Sequence, residues 1–211
     1  MYIMYSVYIF ILICSAIIAR ICFMRLFTYK TEQRKVACIK PVKTMIILGS
    51  GGHTAEMIRI FKYLDFKNYT PRIYVYADTD IMSMEKIKSL EKNNVDYKAY
   101  KIRRSREIHQ SYYTSVYTTI YAILESVPIL WKERPELILC NGPGTCVPLC
   151  ITAFLFKVFY IMQTTMIFIE SFCRVKTLSL TGKILYSIVD HQIVQWPYLC
   201  KPDNNGRTFY L

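Results

Sequence analysis

The sequence predicts an α/β fold, a parallel sheet with helices on both faces, carried by an N-terminal transmembrane helix. Three observations predict it. Short apolar runs rich in β-branched and aromatic residues alternate with helix-like segments five or six times between residues 44 and 197. The first of these runs, Met45 to Leu48, passes through a glycine turn directly into an amphipathic segment containing Glu56, Met57, Ile58, Ile60 and Phe61. Residues 2–19 carry no charge at all, which no buried helix of a small domain requires.

With Ile21 to Met24, that first stretch is long enough to cross a bilayer, so residues 2–24 are read as the anchor. Nothing basic precedes it, whereas Arg20, Arg25, Lys30, Arg34 and Lys35 follow it. A cleaved signal has the opposite order, and basic flanks stay cytoplasmic; the N-terminus is therefore expected in the lumen and the remaining chain in the cytosol. Residues 25–43 form a basic linker. Residues 20–43 hold seven basic residues and one acidic, and residues 85–106 hold eight and three, which accounts for nearly all of the formal charge of +12. The clusters lack any motif that reads RNA or DNA, so no nucleic acid is expected; an anionic membrane surface beside the anchor suits the first cluster, and a solvated surface explains the second equally well. None of the eight cysteines forms a Cys-x-x-Cys pair and several lie in apolar runs. They read as reduced core residues, with no metal site expected.

The glycine turn is Gly49-Ser50-Gly51-Gly52-His53-Thr54. Such a turn aims backbone N–H groups and the positive end of a helix at phosphate or diphosphate. It is not a dinucleotide fingerprint, because Thr54 stands where the third glycine belongs, and it lacks the Lys-Ser or Lys-Thr pair of a P-loop. His53, at the mouth of the helix, could take a proton from a hydroxyl; a plain capping role stands beside that reading.

Arg72 to Ala77 reads as the second strand, closed by Asp78; residues 80–93 read as a charged surface helix, and Tyr97 to Ile102 as the third strand. Beyond Arg103-Arg104-Ser105-Arg106 a helix is expected from about His109 to Arg134, with Val116, Ile120, Ile123, Leu124, Val127 and Leu130 at helical spacings and Pro128 able to bend it. His109 could touch a phosphate or merely start the helix. Glu136 to Cys140 reads as the fourth strand, and Asn141-Gly142-Pro143-Gly144-Thr145 as a second glycine turn at a strand's carboxyl end, where open α/β sheets bind ligands. Residues 146–162 form an apolar helix interrupted by Lys157, nearly long enough for a second membrane span, but read as packed on the sheet and touching the bilayer at most, because a strand from Thr164 to Ile169 follows at once. Leu178 to Val189 then reads as a helix and His191 to Gln195 as the last strand, stopped by Trp196-Pro197. The loops at His53, at Asn141 to Thr145 and at Glu170 to Arg174 should line one edge of the sheet. Together they offer glycine turns for phosphate, an arginine for charge, and a histidine and a carboxylate for a diphosphate-linked sugar. Glu170 and Arg174 could instead be a structural ion pair.

At Gly49 to Thr54, Asn141-Gly142-Pro143-Gly144-Thr145-Cys146-Val147-Pro148, Glu170-Ser171-Phe172-Cys173-Arg174-Val175 and Gln195-Trp196-Pro197, the sequence resembles the membrane-anchoring subunit of the eukaryotic UDP-N-acetylglucosamine transferase of dolichol-linked oligosaccharide synthesis. That family is similar to the N-terminal half of the bacterial peptidoglycan N-acetylglucosamine transferase, with a Rossmann-like GT-B fold divided between two polypeptides. The resemblance implies a site-sharing subunit on the cytosolic face of the endoplasmic reticulum, active only with a soluble donor-binding catalytic subunit. It would add the second N-acetylglucosamine to N-acetylglucosaminyl-diphosphodolichol without a cofactor. It implies His53 as general base and Glu170 as its partner or a sugar ligand. Gly49, Ser50, Gly51, Gly52, Thr54, Asn141, Gly142, Gly144, Thr145 and Arg174 would bind the acceptor diphosphate. It divides the chain into the anchor, the linker, a Rossmann-like domain at 44–197, and a tail at 198–211 that docks the partner. The family pattern continues beyond its Tyr-Leu pair into a glycine and a few apolar residues, whereas this sequence ends at Tyr210-Leu211, so weaker docking is the expectation.

Two other classes of function fit parts of the sequence. A purely structural recruiter would use the glycine turns only to shape the sheet. A membrane oxidoreductase would use the first turn for a dinucleotide and Asp78 for its ribose, against which the missing third glycine speaks.

Overall fold

The computed structural model describes residues 2–32, 40–92, 96–106, 110–142, 144–200 and 208–210. The expectations for His109, Pro143 and Cys38, and part of those for the linker and tail, fall outside these residues.

In chain order the elements are α1 (Tyr2–Glu32), β1 (Thr44–Ile47), α2 (Gly52–Lys62), β2 (Arg72–Ala77), α3 (Ile81–Leu90), β3 (Tyr97–Ile102), α4 (Tyr112–Glu133), β4 (Leu137–Asn141), α5 (Cys146–Val158), β5 (Thr165–Ile169), α6 (Leu180–Leu185), β6 (His191–Val194) and β7 (Thr208–Tyr210). Within α1, Met4–Met24 is long and apolar enough to cross a membrane, and little of it is buried against the rest of the chain. The helix continues to Glu32, inside the stretch read as linker.

All seven strands are parallel, in the order β3-β2-β1-β4-β5-β6-β7. The chain works outward from β1 to β3, then returns to β1's other side and continues from β4 to β7. The reversal opens a crevice between the carboxyl ends of β1 and β4, and ligands of open α/β sheets bind at such a point. β6 is not the last strand, because Thr208–Tyr210 pairs with it as β7. That strand was missed because it is three residues long and follows a turn-rich stretch.

Alternation along the strands builds two cores. Met45, Ile47, Ile73, Val75, Ile138, Cys140, Met166 and Phe168 face α4, α5 and α6. Ile46, Leu48, Tyr74, Tyr76 and Leu139 face α2 and α3, closed by Met57, Phe61 and Ile87. Toward β6 and β7 this second face has Ile193 half-buried and Phe209 exposed among the described residues. The expected parallel sheet with helices on both faces is what the structure has.

α5 is a core helix, as the sequence indicates. Cys146, Leu149, Cys150 and Ala153 are fully buried, and Lys157 reaches Asp190 with Nζ 2.6 Å from Oδ1. A hydrogen bond of 2.6 Å between Ser126 of α4 and Thr152 of α5 joins the two helices where Ala122 and Ala153 are also buried. Three cysteines, 140, 146 and 150, belong to this core, while Cys22 and Cys173 are exposed. Hydrogen bonds with Cys146 and Cys150, and then burial, push the Cys140 thiol well up.

α4 departs from expectation. It runs unbroken through Pro128, and Leu130 is buried. Val116, Ile120, Leu124 and Val127 are exposed, together with Tyr113, Tyr117, Tyr121 and Trp131. The helix has two apolar sides, and the core takes only the one carrying Ala122, Ser126, Ile129 and Leu130. Near its carboxyl end, Glu133 is held by Lys43 and Lys98, each at 2.9 Å, and by the Tyr100 hydroxyl. Burial favours protonating this carboxyl, but the hydrogen bonds from Tyr100, Lys98 and Lys43 prevail and hold it at about 2.

Candidate functional site

The first glycine turn owes its shape to buried polar contacts. Gly51 adopts φ 63° and ψ −113° ahead of α2, a conformation natural only to glycine. Thr54 is fully buried. Its hydroxyl is bonded to the Gly49 carbonyl and lies 2.6 Å from Ser83 Oγ, so it braces the turn from beneath. No side chain caps α2, and a Cβ built on Gly51 or Gly52 meets nothing within 4 Å. The α2 N-terminus is thus uncapped with open space beside it, which leaves room for an anion there.

His53 does not cap this helix. Its Nδ1 lies 3.0 Å from Asn141 Oδ1, across the crevice at the end of β4. Asn141 is nearly completely buried. Its Nδ2 donates to Glu56 Oε2 at 3.1 Å, and Glu56 Oε1 accepts from Ser171 Oγ at 2.9 Å. Three loops that were expected on one edge are thus tied together through side chains from residues 53, 56, 141 and 171. The second turn fits closely around the histidine: Gly142 has φ 87°, and a Cβ there would collide with the His53 ring.

Glu170 lies apart from this chain of contacts. It is fully buried, and its carboxylate accepts from Ser171 N at 3.1 Å, Ser179 N at 2.9 Å and Ser179 Oγ at 3.0 Å. It holds the 170–179 loop against the start of α6, and Gly182 is required there because a Cβ would strike the carboxylate. Arg174 is exposed on that loop and forms no ion pair with Glu170; its backbone N–H closes a turn on Ser171 O at 3.0 Å. Thr145 is buried at the start of α5, and the Gly144 carbonyl accepts from Ser105 Oγ at 2.8 Å. Ser50 is half-exposed at the turn.

These groups surround a cleft of about 1340 Å³. Gly52, His53, Glu56, Gly142, Gly144, Ser171 and Arg174 form its polar end, with Glu170 in the wall behind. Val116, Ile120, Ile123, Val147, Leu180 and Ile184 form an apolar wall. The apolar wall is continuous with the exposed side of α4, whose Val116 and Ile120 belong to both. Of the sequence-named residues, the structure brings His53, Gly52, Asn141, Gly142, Gly144, Glu170 and Arg174 to the cleft or its immediate support. It turns Thr54 inward.

Sequence reasoning missed Glu56, Ser105, Ser171 and Arg106 as site residues. Glu56 was legible in principle, since residue i+3 shares a helix face with His53. Ser105 joins the basic loop to the second glycine turn, and Thr118 Oγ1 donates to Ser105 O at 2.6 Å. This brings Arg106 to the cleft rim, a placement no local pattern encodes. Among the described residues, no cluster of His, Cys, Asp and Glu could hold a metal ion.

The arrangement can bind an anion at the α2 N-terminus, take a proton from a bound hydroxyl at His53, and shelter an apolar chain along α4 and α6. Comparison with known proteins points the same way. Residues 44–209 match the family described as oligosaccharide biosynthesis protein Alg14 like. The UDP-N-acetylglucosamine transferase subunit ALG14 of Rattus norvegicus is 47% identical over 164 residues, 74% of this chain and 76% of that protein. Its namesake in Yarrowia lipolytica is 39% identical over 195 residues, covering 89% and 90%. Among solved structures, Acinetobacter baumannii MurG aligns with a TM-score of 0.57 at 12% identity, covering 80% of this chain and 44% of MurG. The UDP-N-acetylglucosamine 2-epimerase of Rickettsia bellii aligns at 0.51 with 17% identity and similar coverage. The chain thus spans less than half the length of these solved structures, which share its fold.

Proposed function

The chain belongs to the Alg14 family, and from that premise we propose that it is the membrane-anchoring, site-sharing subunit of a UDP-N-acetylglucosamine transferase that extends N-acetylglucosaminyl-diphosphodolichol by one sugar. The observation that carries this reading is the two-part cleft. A diphosphate and sugar suit the polar end at Gly52, His53 and Gly142, and a polyprenyl chain suits the apolar wall that continues onto the exposed side of α4. Tyrosine and tryptophan along that side suit the bilayer interface. A membrane-spanning α1 that packs on α5, with Arg20 over the Tyr160 ring, keeps the domain beside the lipid.

In the proposed reaction the acceptor hydroxyl attacks the anomeric carbon of the donor sugar. The bond from that carbon to the UDP oxygen breaks, its electron pair leaves with UDP, and His53 takes the hydroxyl proton. The α2 N-terminus and Arg174 hold the acceptor diphosphate, and Glu170 holds the loop that carries Arg174. The described residues form one nucleotide-fold sheet, and the donor half of the cleft is assigned in this proposal to a soluble glycosyltransferase subunit. The compartment is the endoplasmic reticulum, with the N-terminus lumenal and the sheet cytosolic; the basic residues after the anchor support that orientation.

The test is transfer of radiolabelled N-acetylglucosamine from UDP to the lipid-linked acceptor, in membranes holding this chain with and without the soluble subunit. Transfer only with both supports the reading. Transfer by either chain alone, or by neither combination, overturns it.

A further inference from the structure

The geometry points to Glu56 as a positioning residue that fixes which nitrogen of His53 carries the proton. This inference rests on the transferase reading for its consequence, though not for its chemistry. An asparagine amide is ambidextrous, because it can offer oxygen to an N–H or its NH2 to a bare ring nitrogen. Asn141 alone therefore sets no tautomer for His53. The choice is made one residue further out. A carboxylate accepts only, so the edge of Asn141 that lies 3.1 Å from Glu56 Oε2 must be the NH2. Oδ1 then faces His53 at 3.0 Å, and an oxygen there requires the proton on Nδ1. Flipping the amide would set its oxygen against the carboxylate. Ser171 Oγ, 2.9 Å from Glu56 Oε1, holds the carboxylate in place from the far side.

The consequence is a histidine with Nε2 unprotonated. Among the described residues Nε2 has no hydrogen-bond partner, and the ring lines the cleft. Nε2 is the nitrogen left to accept the proton of the attacking hydroxyl, and it stays so on every cycle because Glu56 keeps the amide from turning. Glu56 Oε2 also lies 4.0 Å from His53 Nδ1, beyond hydrogen-bond reach, where its charge favours the same Nδ1 proton; Glu56 touches no reacting atom in this scheme and makes its hydrogen bond to Asn141.

The test uses the full chain, solubilised with its soluble partner and labelled with 15N-histidine. The sequence has three histidines, so a His53→Ala spectrum identifies the His53 signals. At about pH 8.5, above the ordinary titration range of imidazole, the wild type should show a single Nδ1–H form. Glu56→Gln replaces the acceptor by a group that can donate, so the network can run in either direction. The His53 signals should become a mixture, and kcat should fall on the order of 10- to 100-fold with KM for both substrates unchanged. In Glu56→Gln/Asn141→Asp the polarity is restored. The carboxylate introduced at position 141 accepts both from the amide introduced at position 56 and from His53, so the single Nδ1–H form should return with most of kcat. The double variant also serves if the single one does not fold. A wild type carrying the proton on Nε2, a Glu56→Gln protein that keeps the pure Nδ1–H form, or a double variant that stays mixed would each overturn the proposal. The spectra need no substrate, so a proton fixed by Glu56 in a complex without transfer activity would refute the transferase reading and leave this inference standing.

Discussion

Replacing Gly142 by alanine probes the most tightly constrained contact in the cleft. The added Cβ would stand 2.5 Å from His53 Cγ and closer still to Nδ1 and Cε1, whereas ordinary carbon contacts lie near 3.5–4 Å, on the order given by dispersion optima. Backbone lies behind the Cβ, so the imidazole must retreat by about 1 Å, and a displacement of about that size can cost on the order of 10²-fold in rate. The φ of 87° adds strain for any L residue, roughly 1–2 kcal/mol, which a cooperative fold of this size withstands. Gly142→Ala should therefore fold, bind membranes as the wild type does, and melt a few degrees lower, while transfer of N-acetylglucosamine falls about 100-fold. The assay is single-turnover transfer with saturating donor and lipid-linked acceptor, beside a thermal melt of the same preparation. A folded Gly142→Ala complex within about threefold of the wild-type rate would refute the reasoning, because it would mean that the position of His53 does not matter.

Two further outcomes follow from other parts of the structure. Ile120→Asp puts a charge on the exposed apolar side of α4 without touching the core, so transfer to a long-chain polyprenyl acceptor in vesicles should drop about tenfold, a loss of roughly 1.4 kcal/mol. Transfer to a short, soluble acceptor should hold; equal losses on both acceptors would count against a lipid-facing α4. Glu133 is the acid-sensitive group: its folded value of about 2 lies below the ordinary 4.5, so it contributes stability above 4.5 that is lost as pH falls toward 2. Thermal melts of the wild type between about pH 5.5 and 2.5 should decline more steeply than those of Glu133→Gln, and parallel curves would remove Glu133 as the cause.

Much of the fold was legible because periodicity reports burial. Arg72–Ala77 and Tyr97–Ile102 were read with the bounds they have, and the apolar run at 146 was correctly taken as a core helix because a strand follows at once. Periodicity does not say what a face is buried against. α4 has apolar residues on two sides, and the core takes the one carrying Ala122, Ser126, Ile129 and Leu130. Val116, Ile120, Leu124 and Val127 share the helical spacing of Leu130 but line the cleft or face outward. The meeting of His53 and Asn141 was legible because both follow strand ends on one edge of the sheet. It was illegible where distant residues complete a contact: Ser171 and Glu56 are 115 positions apart, and nothing local in either marks the pair. Glu170 was noticed for its charge at a strand end, yet its carboxylate is bound by Ser179 and its own loop.

The proposed reaction requires His53 of this chain to take a proton from an acceptor held in this cleft. The direct measurement is the single-turnover rate of the reconstituted complex with His53→Gln, alongside the affinity of the same complex for the lipid-linked acceptor. The chemical step should slow on the order of 10²- to 10⁴-fold, with acceptor affinity and membrane attachment unchanged. A His53→Gln complex that transfers at the wild-type rate would contradict it, and would leave this chain an anchor without a share in the reaction.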